Sequence, residues 1–286
     1  MERRKKLFPL LSGVLLVFIL AGCGNPINLF QNDPAIIRLS TTTSVNDSRL
    51  LSYLQPEFER DTGFRLEITS AGSGAAIEKG RTGDADILLT HSPNAELAFI
   101  GEGFDEERVV FMYNFFVIVG PADDPAGVRG SAGAAEAFSK IAEHPTATFV
   151  SRGDNSGTHV AENGIWNIVG ITPTGQDWYI STGQGMGVSL NIAGETESYI
   201  LTDKSTYLAH ALRGTMEILL EKSEELQNIY SIIAISPSRW ADTNKTGAEE
   251  FIRWMTSEKG QRMINEFGVA QYGEQLFFAK QLDCSN

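Results

Sequence analysis

Two hydrophobic periods alternate along this chain. Residues 36–40, 64–69 and 86–90 are short apolar or alternating runs that read as strands; between them Leu50, Leu51 and Leu54, then residues 75–81 and 94–101, carry apolar positions at helical spacing. Ser44 or Asn46 can cap the first helix, and Pro56 is expected to open a second helical piece at its N1 position. Strand, helix, strand, helix, strand implies parallel strands joined by crossovers. Residues 109–119 form an apolar, β-rich run long enough to serve two sheets in succession, closed by Gly120-Pro121 and a turn cluster at 123–127. An Ala-rich helix follows over about 131–143, then a strand at 147–150, a capped helix from Ser156 and a Gly-rich loop at 183–187. A strand at 199–202, one at 229–235 that can return to the first sheet, and a helical stretch over 246–267 complete the pattern. The expected architecture is α/β. Residues 36–115 and 228–286 form a first lobe and 116–227 a second, with a cleft where strand ends and helix N-termini converge.

The N-terminus says where such a molecule works. Met1-Glu2-Arg3-Arg4-Lys5-Lys6 precedes an apolar run from Leu7 to Ala21 that ends Leu20-Ala21-Gly22-Cys23. A charged region, a short hydrophobic region and a small-residue cleavage site follow the order of an export signal. The run falls short of the ~20 apolar residues that a membrane span takes. Its ending resembles a bacterial lipobox, in which the Cys23 thiol is acylated and the cysteine becomes the first residue of the mature chain. Residues 1–22 are therefore expected to be a signal and 23–35, with Pro26 and Pro34, a lipidated tether. The protein is expected to be extracytoplasmic, held to the cell membrane by lipid alone. Cys284, near the C-terminus, then reads as a spare thiol.

Composition narrows the partners. A chain of 286 residues, 42% apolar and 21% charged, is ordinary globular protein. Lys+Arg 23 against Asp+Glu 36 gives −13, and because residues 1–22 hold four Lys/Arg and one Glu, the mature chain carries −16. That balance excludes nucleic acid or an anionic membrane surface held by a broad electrostatic field.

Three hydroxyl-rich turns lie where a strand gives way to a helix: Ser40-Thr41-Thr42-Thr43-Ser44, Gly72-Ser73-Gly74, and Ser151-Arg152-Gly153-Asp154-Asn155-Ser156-Gly157-Thr158-His159. Each offers unpaired backbone N–H groups, the positive end of a helix dipole, and hydroxyls that can donate to an anion. Taken alone, each is more simply an N-cap or a turn. Three at equivalent topological positions, one beside Arg152, describe an oxyanion cradle with one full positive charge. Arg152 by itself is equally a solvated surface arginine. The Arg152-Gly153-Asp154 tripeptide matches a short integrin-binding string that nothing else in the chain supports.

Thr41-Thr42-Thr43-Ser44, Ala71-Gly72-Ser73-Gly74, the Ser151-to-His159 string and Leu201-Thr202-Asp203-Lys204-Ser205-Thr206-Tyr207 together resemble the tungstate-binding proteins of bacterial ABC importers, the TupA type. The resemblance covers essentially all of the chain from Ile36 to about Phe278. The Ser-Arg-Gly-Asp-x-Ser-Gly-Thr-His string is specific; its Arg…Ser-Gly-Thr portion is shared with phosphate-binding proteins. The resemblance implies a two-lobe periplasmic-binding-protein fold of type II that closes on one tetrahedral oxyanion. It implies a monomer without a cofactor, delivering its anion to a membrane permease and its ATPase. It also places Thr43, Ser44 and Ser73 of the first lobe and Arg152, Ser156 and Thr158 of the second on the anion, with Gly185-Met186-Gly187 lining the cleft. Lys204 stands where the family has arginine as often as lysine, which leaves that ligand set unchanged.

Hydroxyls, N–H groups and an arginine are all donors, which suits an anion that carries no proton at neutral pH: tungstate, molybdate or sulfate. Phosphate would want an acceptor, and Asp154 is close enough in sequence to be one or to be a turn residue. Between tungstate and molybdate only the resemblance decides. A surface hydrolase is the competing class. Ser156 and His159 lie three apart on one helix, with no Gly-x-Ser-x-Gly elbow and no orienting carboxylate. Gly72-Ser73-Gly74 before Lys79 lacks the ending of a Walker loop. His91, His144 and His210 fall in unlike contexts without metal-ligand spacing and read as packing or surface residues. Neither catalysis nor a bound metal cation is expected, and no repeat or broad apolar patch suggests an adhesive protein.

Overall fold

The computed structural model describes residues 35–104, 108–209 and 215–280. The expected signal, the tether up to residue 34, Cys23, His210 and Cys284 lie outside the described residues. In chain order the elements begin β1 (Ile36–Thr42), α1 (Thr43–Asp47), α2 (Leu50–Thr62), β2 (Arg65–Ala71), α3 (Ser73–Thr82), β3 (Ile87–Thr90), α4 (Pro93–Gly101) and β4 (Arg108–Pro121). They continue with α5 (Ala134–Glu143), β5 (Phe149–Ser151), α6 (Gly157–Ile168), β6 (Tyr179–Ser181), α7 (Met186–Glu195), β7 (Tyr199–Asp203), α8 (Lys204–Ala209) and β8 (Met216–Glu221). After a 3-10 turn at Glu224–Leu226 come β9 (Gln227–Ala234), α9 (Lys245–Met255), α10 (Glu258–Glu266), α11 (Val269–Tyr272) and β10 (Phe278–Ala279).

The strands pair in the order β2-β1-β3-β9-β4-β7-β5-β6, with β8 and β10 also on β4. The long apolar run, β4, belongs to two sheets. Arg108 to Phe115 pair antiparallel with β9, and Phe116 to Pro121 pair with β7 and β8. In the first half β1 lies parallel between β2 and β3; in the second β5 lies parallel between β6 and β7.

Period-two alternation places each sheet between two cores. Ile37, Leu39, Ile87 and Leu89 meet Leu54, Phe58, Phe251 and Trp254 on one face, while Leu88 and Ile233 meet Ile77 and Phe99 on the other. In the second half Phe116 and Ile118 join Phe138, Phe149 and Trp166, and Val117 and Val119 join Met186, Leu190 and Ile200.

Several local features differ from the sequence pattern. Pro56 sits inside α2 instead of starting a separate piece. Proline removes the N–H that would bond the Ser52 carbonyl, but Ser52 and Pro56 are exposed, so solvent takes that carbonyl while Leu50, Leu51, Leu54 and Phe58 bury the opposite face. The break falls earlier, at Arg49 with φ 64°. The stretch 246–267 is two helices, because Ser257 Oγ accepts Gly260 N–H at 3.1 Å and caps α10. A Cβ on Gly260 would stand 2.3 Å from the Trp254 carbonyl oxygen, so that corner needs glycine. The pattern does not announce β6, β8 or α7: β6 has 3 residues, β8 carries Glu217 and Glu221, and α7 is interrupted by Gly187 and Gly194.

Candidate functional site

The three hydroxyl-rich turns each connect a strand to a helix, and each divides its side chains between capping and other work. In the first, Thr42, not Ser44 or Asn46, is the N-cap: its Oγ1 accepts Val45 N–H at 3.4 Å. Ser44 is thereby freed; it is buried, with Oγ 3.0 Å from His91 Nε2, and Thr43 is half-buried beside it. In the second turn Gly72 takes the cap position and Ser73, buried, is the first helical residue of α3. In the third, Ser156 caps α6 by accepting His159 N–H at 3.4 Å, and Gly157 and Thr158 follow as the first helical residues.

The two halves meet at these turns. Gly157 N–H, one of the donors a helix leaves without an internal partner, donates to Ser73 Oγ at 3.0 Å. The contact admits no side chain: a Cβ on Gly157 would stand 2.6 Å from His91 Cε1 and 3.2 Å from Ser73 Oγ. Ser44, His91, Gly157 and Ser73 are therefore one chain of contacts, and Ser156 and Thr158 come with Gly157.

Arg152 arrives from the end of β5. Positive φ at Gly153 (60°) and Asn155 (57°) turns the loop, and a Cβ on Gly153 would stand 1.9 Å from Ser181 Oγ. Arg152 is 3% exposed and its Nη2 donates to Asp154 Oδ2 at 2.5 Å, while Asp154 Oδ1 accepts Ser156 N–H at 3.1 Å. Burial alone would raise the Asp154 carboxyl; the Ser156 hydrogen bonds and the Arg152 charge outweigh it and hold the pKa below the usual range. Asp154 is thus both turn residue and counter-ion. Arg152 Nε and Thr158 Oγ1 are buried with no hydrogen-bond partner among the described residues. Leaving one such group unpaired costs about 1–3 kcal/mol, so each of the two asks for an explanation.

The loop before α7 completes the surroundings. Thr182 N–H bonds the Ser151 carbonyl at 3.0 Å and Thr182 Oγ1 donates to the Arg152 carbonyl at 3.3 Å, which brings Gly185 and the first turn of α7 toward Arg152. Met186 begins a helix there instead of continuing a loop. Lys204 donates to Glu221 and Glu274, each at 2.6 Å, and is committed to those ion pairs.

Two central residues were not singled out by the pattern. His91 is buried; Nε2 lies 3.0 Å from Ser44 Oγ and 3.1 Å from Thr42 Oγ1, and Nδ1 lies 3.0 Å from Asn228 Oδ1. Burial pushes its pKa down, so the ring is neutral at neutral pH. Its signal in the sequence is Thr90-His91-Ser92, a fourth strand-to-helix junction flanked by hydroxyls. Beneath the Arg152 turn, buried Glu162 accepts Ser151 Oγ at 2.7 Å, Tyr179 Oη at 2.7 Å and Trp166 Nε1 at 3.2 Å. Burial pushes the Glu162 pKa up to about 7 in spite of those bonds. His159 Nδ1 accepts Asn155 N–H at 3.0 Å, so ring and Ser156 hydroxyl serve the turn and do not face each other as base and nucleophile. A cavity of about 430 Å³ opens beside the Ser73–Gly157 contact, with Phe116 and Val160 in its walls; Ser44, Arg152 and Thr158 lie outside it. Among the described residues no cluster of His, Cys, Asp or Glu could hold a metal ion, and no helix is long and apolar enough to cross a membrane.

The architecture has known counterparts. Residues 31–259 match the family model of the PBP superfamily domain. The chain is 40% identical over 282 residues to the tungstate-binding protein TupA of Peptoclostridium acidaminophilum, covering 96% of this chain and 98% of that one. The solved tungstate-binding protein TupA from Desulfovibrio alaskensis G20 superimposes with a TM-score of 0.77 at 41% identity, over 86% of this chain and 99% of that one. The tungstate ABC transporter structure from Geobacter sulfurreducens gives 0.75 at 38% identity, over 81% and 98%. With its two-lobe α/β fold, the chain belongs to the TupA family of the PBP superfamily.

Proposed function

We propose that this protein captures tungstate outside the cytoplasm and delivers it to an ABC importer. Residues 36–115 with 228–286 and residues 116–227 act as the two lobes. Thr43, Ser44 and Ser73 from the first and Arg152, Ser156 and Thr158 from the second hold one tetrahedral oxyanion. The observation that carries this reading is that Arg152 Nε and Thr158 Oγ1, on the turn whose Gly157 N–H reaches Ser73 of the first half, are buried without a partner among the described residues. An anion placed among them satisfies both and gains charge-assisted hydrogen bonds.

The donor set also favours an anion without a proton. Asp154, the acceptor that monoprotonated phosphate would need, is already engaged by Arg152 and by Ser156 N–H. That leaves tungstate, molybdate and sulfate, and the tungstate-binding names of the relatives favour the first. The leader and Cys23 support a lipid-anchored protein at the cell membrane, and the transporter relative supports a permease and its ATPase as partners.

Calorimetric titration of the purified protein with tungstate, molybdate, sulfate and phosphate tests the reading. One tight site for tungstate is expected, with phosphate weakest. At about 1,000 times the dissociation constant the ligand should add roughly 4 kcal/mol to stability. No heat and no thermal shift with any of the four refutes the proposal.

A further inference from the structure

His91 sits where the hydroxyls of one half touch the helix start of the other, and its two ring nitrogens have different duties. Asn228 gives its Nδ2 hydrogens to Asn114 Oδ1 at 2.9 Å and Tyr230 Oη at 2.8 Å. Its Oδ1 is therefore an acceptor, 3.0 Å from His91 Nδ1, and the ring proton is on Nδ1. The neutral ring then presents one lone pair, at Nε2. Two hydroxyls compete for it: Ser44 Oγ at 3.0 Å and Thr42 Oγ1 at 3.1 Å, themselves 3.2 Å apart. Thr42 Oγ1 already accepts Val45 N–H, so its own hydrogen remains to be given.

One lone pair and two hydroxyl hydrogens leave one hydrogen over. When an anion draws the Ser44 hydrogen, the Thr42 hydrogen can replace it on Nε2, and no buried group loses its partner in the exchange. The same chain of bonds reaches the strands that join the halves. Asn114 and Asn228 are opposite one another in the β4–β9 ladder, just before β4 changes sheets between Phe115 and Phe116.

We propose that His91 is a positioning residue of the oxyanion site, accepting at Nε2 from the Thr42–Ser44 pair so that one hydroxyl always faces the anion as a donor. The inference rests on the oxyanion reading above.

Two amide substitutions test it. In His91→Asn the amide takes the place of Nδ1 and can keep Asn228 but not reach the hydroxyls; in His91→Gln it takes the place of Nε2. Titrated with tungstate, His91→Asn should bind about tenfold more weakly, the usual worth of one lost hydrogen bond, and His91→Gln should recover most of that. On a Ser44→Ala background His91→Asn should weaken binding no further, because its effect passes through Ser44. Unchanged affinity in His91→Asn overturns the proposal. Equal losses in Asn and Gln, additive with Ser44→Ala, overturn it as well, since mere packing gives that result. If His91→Asn does not fold by thermal melting, Thr42→Val takes its place: it keeps the shape but removes the replacement hydrogen together with the α1 cap, so Thr42→Ser, which keeps both, is its control; Thr42→Val should weaken binding about tenfold and Thr42→Ser should not, and unchanged affinity in the first or equal losses in both refute the proposal. A wild-type protein that takes none of the four oxyanions defeats the functional reading itself, a result distinct from any of these.

Discussion

Gly157→Ala separates closure from folding. Gly157 has no positive φ, so alanine suits its backbone, and in an unliganded protein whose halves have parted the change should be neutral or stabilising by about 0.4–1 kcal/mol through the unfolded chain. With the halves together the added methyl stands 2.6 Å from His91 Cε1, 3.0 Å from His91 Nδ1 and 3.2 Å from Ser73 Oγ. His91 cannot step aside freely, because Asn228 holds Nδ1 and the Thr42–Ser44 pair holds Nε2. Overpacking of this kind costs about 1–3 kcal/mol while the halves stay together; parting to relieve it gives up the Gly157–Ser73 hydrogen bond instead, about 1 kcal/mol. At 1.4 kcal/mol per tenfold, a cost of about 1–3 kcal/mol is a loss of tungstate affinity of roughly 5- to 140-fold. Calorimetry gives the affinity and a melt without ligand gives the stability. The reasoning fails if affinity stays within threefold of wild type, or if the unliganded melt falls together with the affinity.

Thr158→Val removes a buried hydroxyl that has no partner among the described residues, so the unliganded protein should hold or gain stability while tungstate binding weakens about tenfold; an unchanged affinity in the titration takes Thr158 out of the ligand set. Arg152→Ala should weaken binding by at least that much without unfolding, because a charge-assisted bond is lost and the Asp154 carboxylate is left without its counter-ion; affinity equal to wild type removes Arg152. Glu162 gives a pH signature. Its folded pKa of about 7 lies above the unfolded carboxylate value of about 4.3, so its contribution to stability is full below the lower value and is lost as pH rises through the upper one. Glu162→Gln should gain on wild type between pH 5 and pH 8 by an amount of order 3 kcal/mol in denaturant melts, and a difference that stays flat over that range refutes the assignment.

What could be read from the sequence was what is encoded locally. Strand-to-helix turns announce themselves by hydroxyls and glycine within a few residues, so Ser44, Ser73, Ser156 and Thr158 could be gathered as candidates before any contact was known. Which of them caps a helix and which is left free was not local knowledge: Thr42 caps α1, and that alone frees Ser44 for His91. His91 and Asn228 are 137 residues apart, and only the pairing of β9 against β3 and β4 brings them together. Glu162 carries no signal in the sequence, because its environment depends on Tyr179 in β6, a strand too short to show a period. Pro56 misleads for the opposite reason, since its cost falls on a carbonyl that solvent can reach.

Phe115 stands opposite Gln227, and Asn114 opposite Asn228, in the β4–β9 ladder. The middle of the chain thus leaves and re-enters at one rung of a single antiparallel pair. For protein engineering that rung is a splice point: a two-residue turn such as Asn-Gly between Phe115 and Gln227 would convert β4 and β9 into a plain hairpin. The shortened chain would keep β1, β2 and β3 with Ser44, Ser73 and His91, and would lack Arg152. A second half taken from a binding protein for another anion could be inserted at the same rung, making ligand choice and scaffold exchangeable parts.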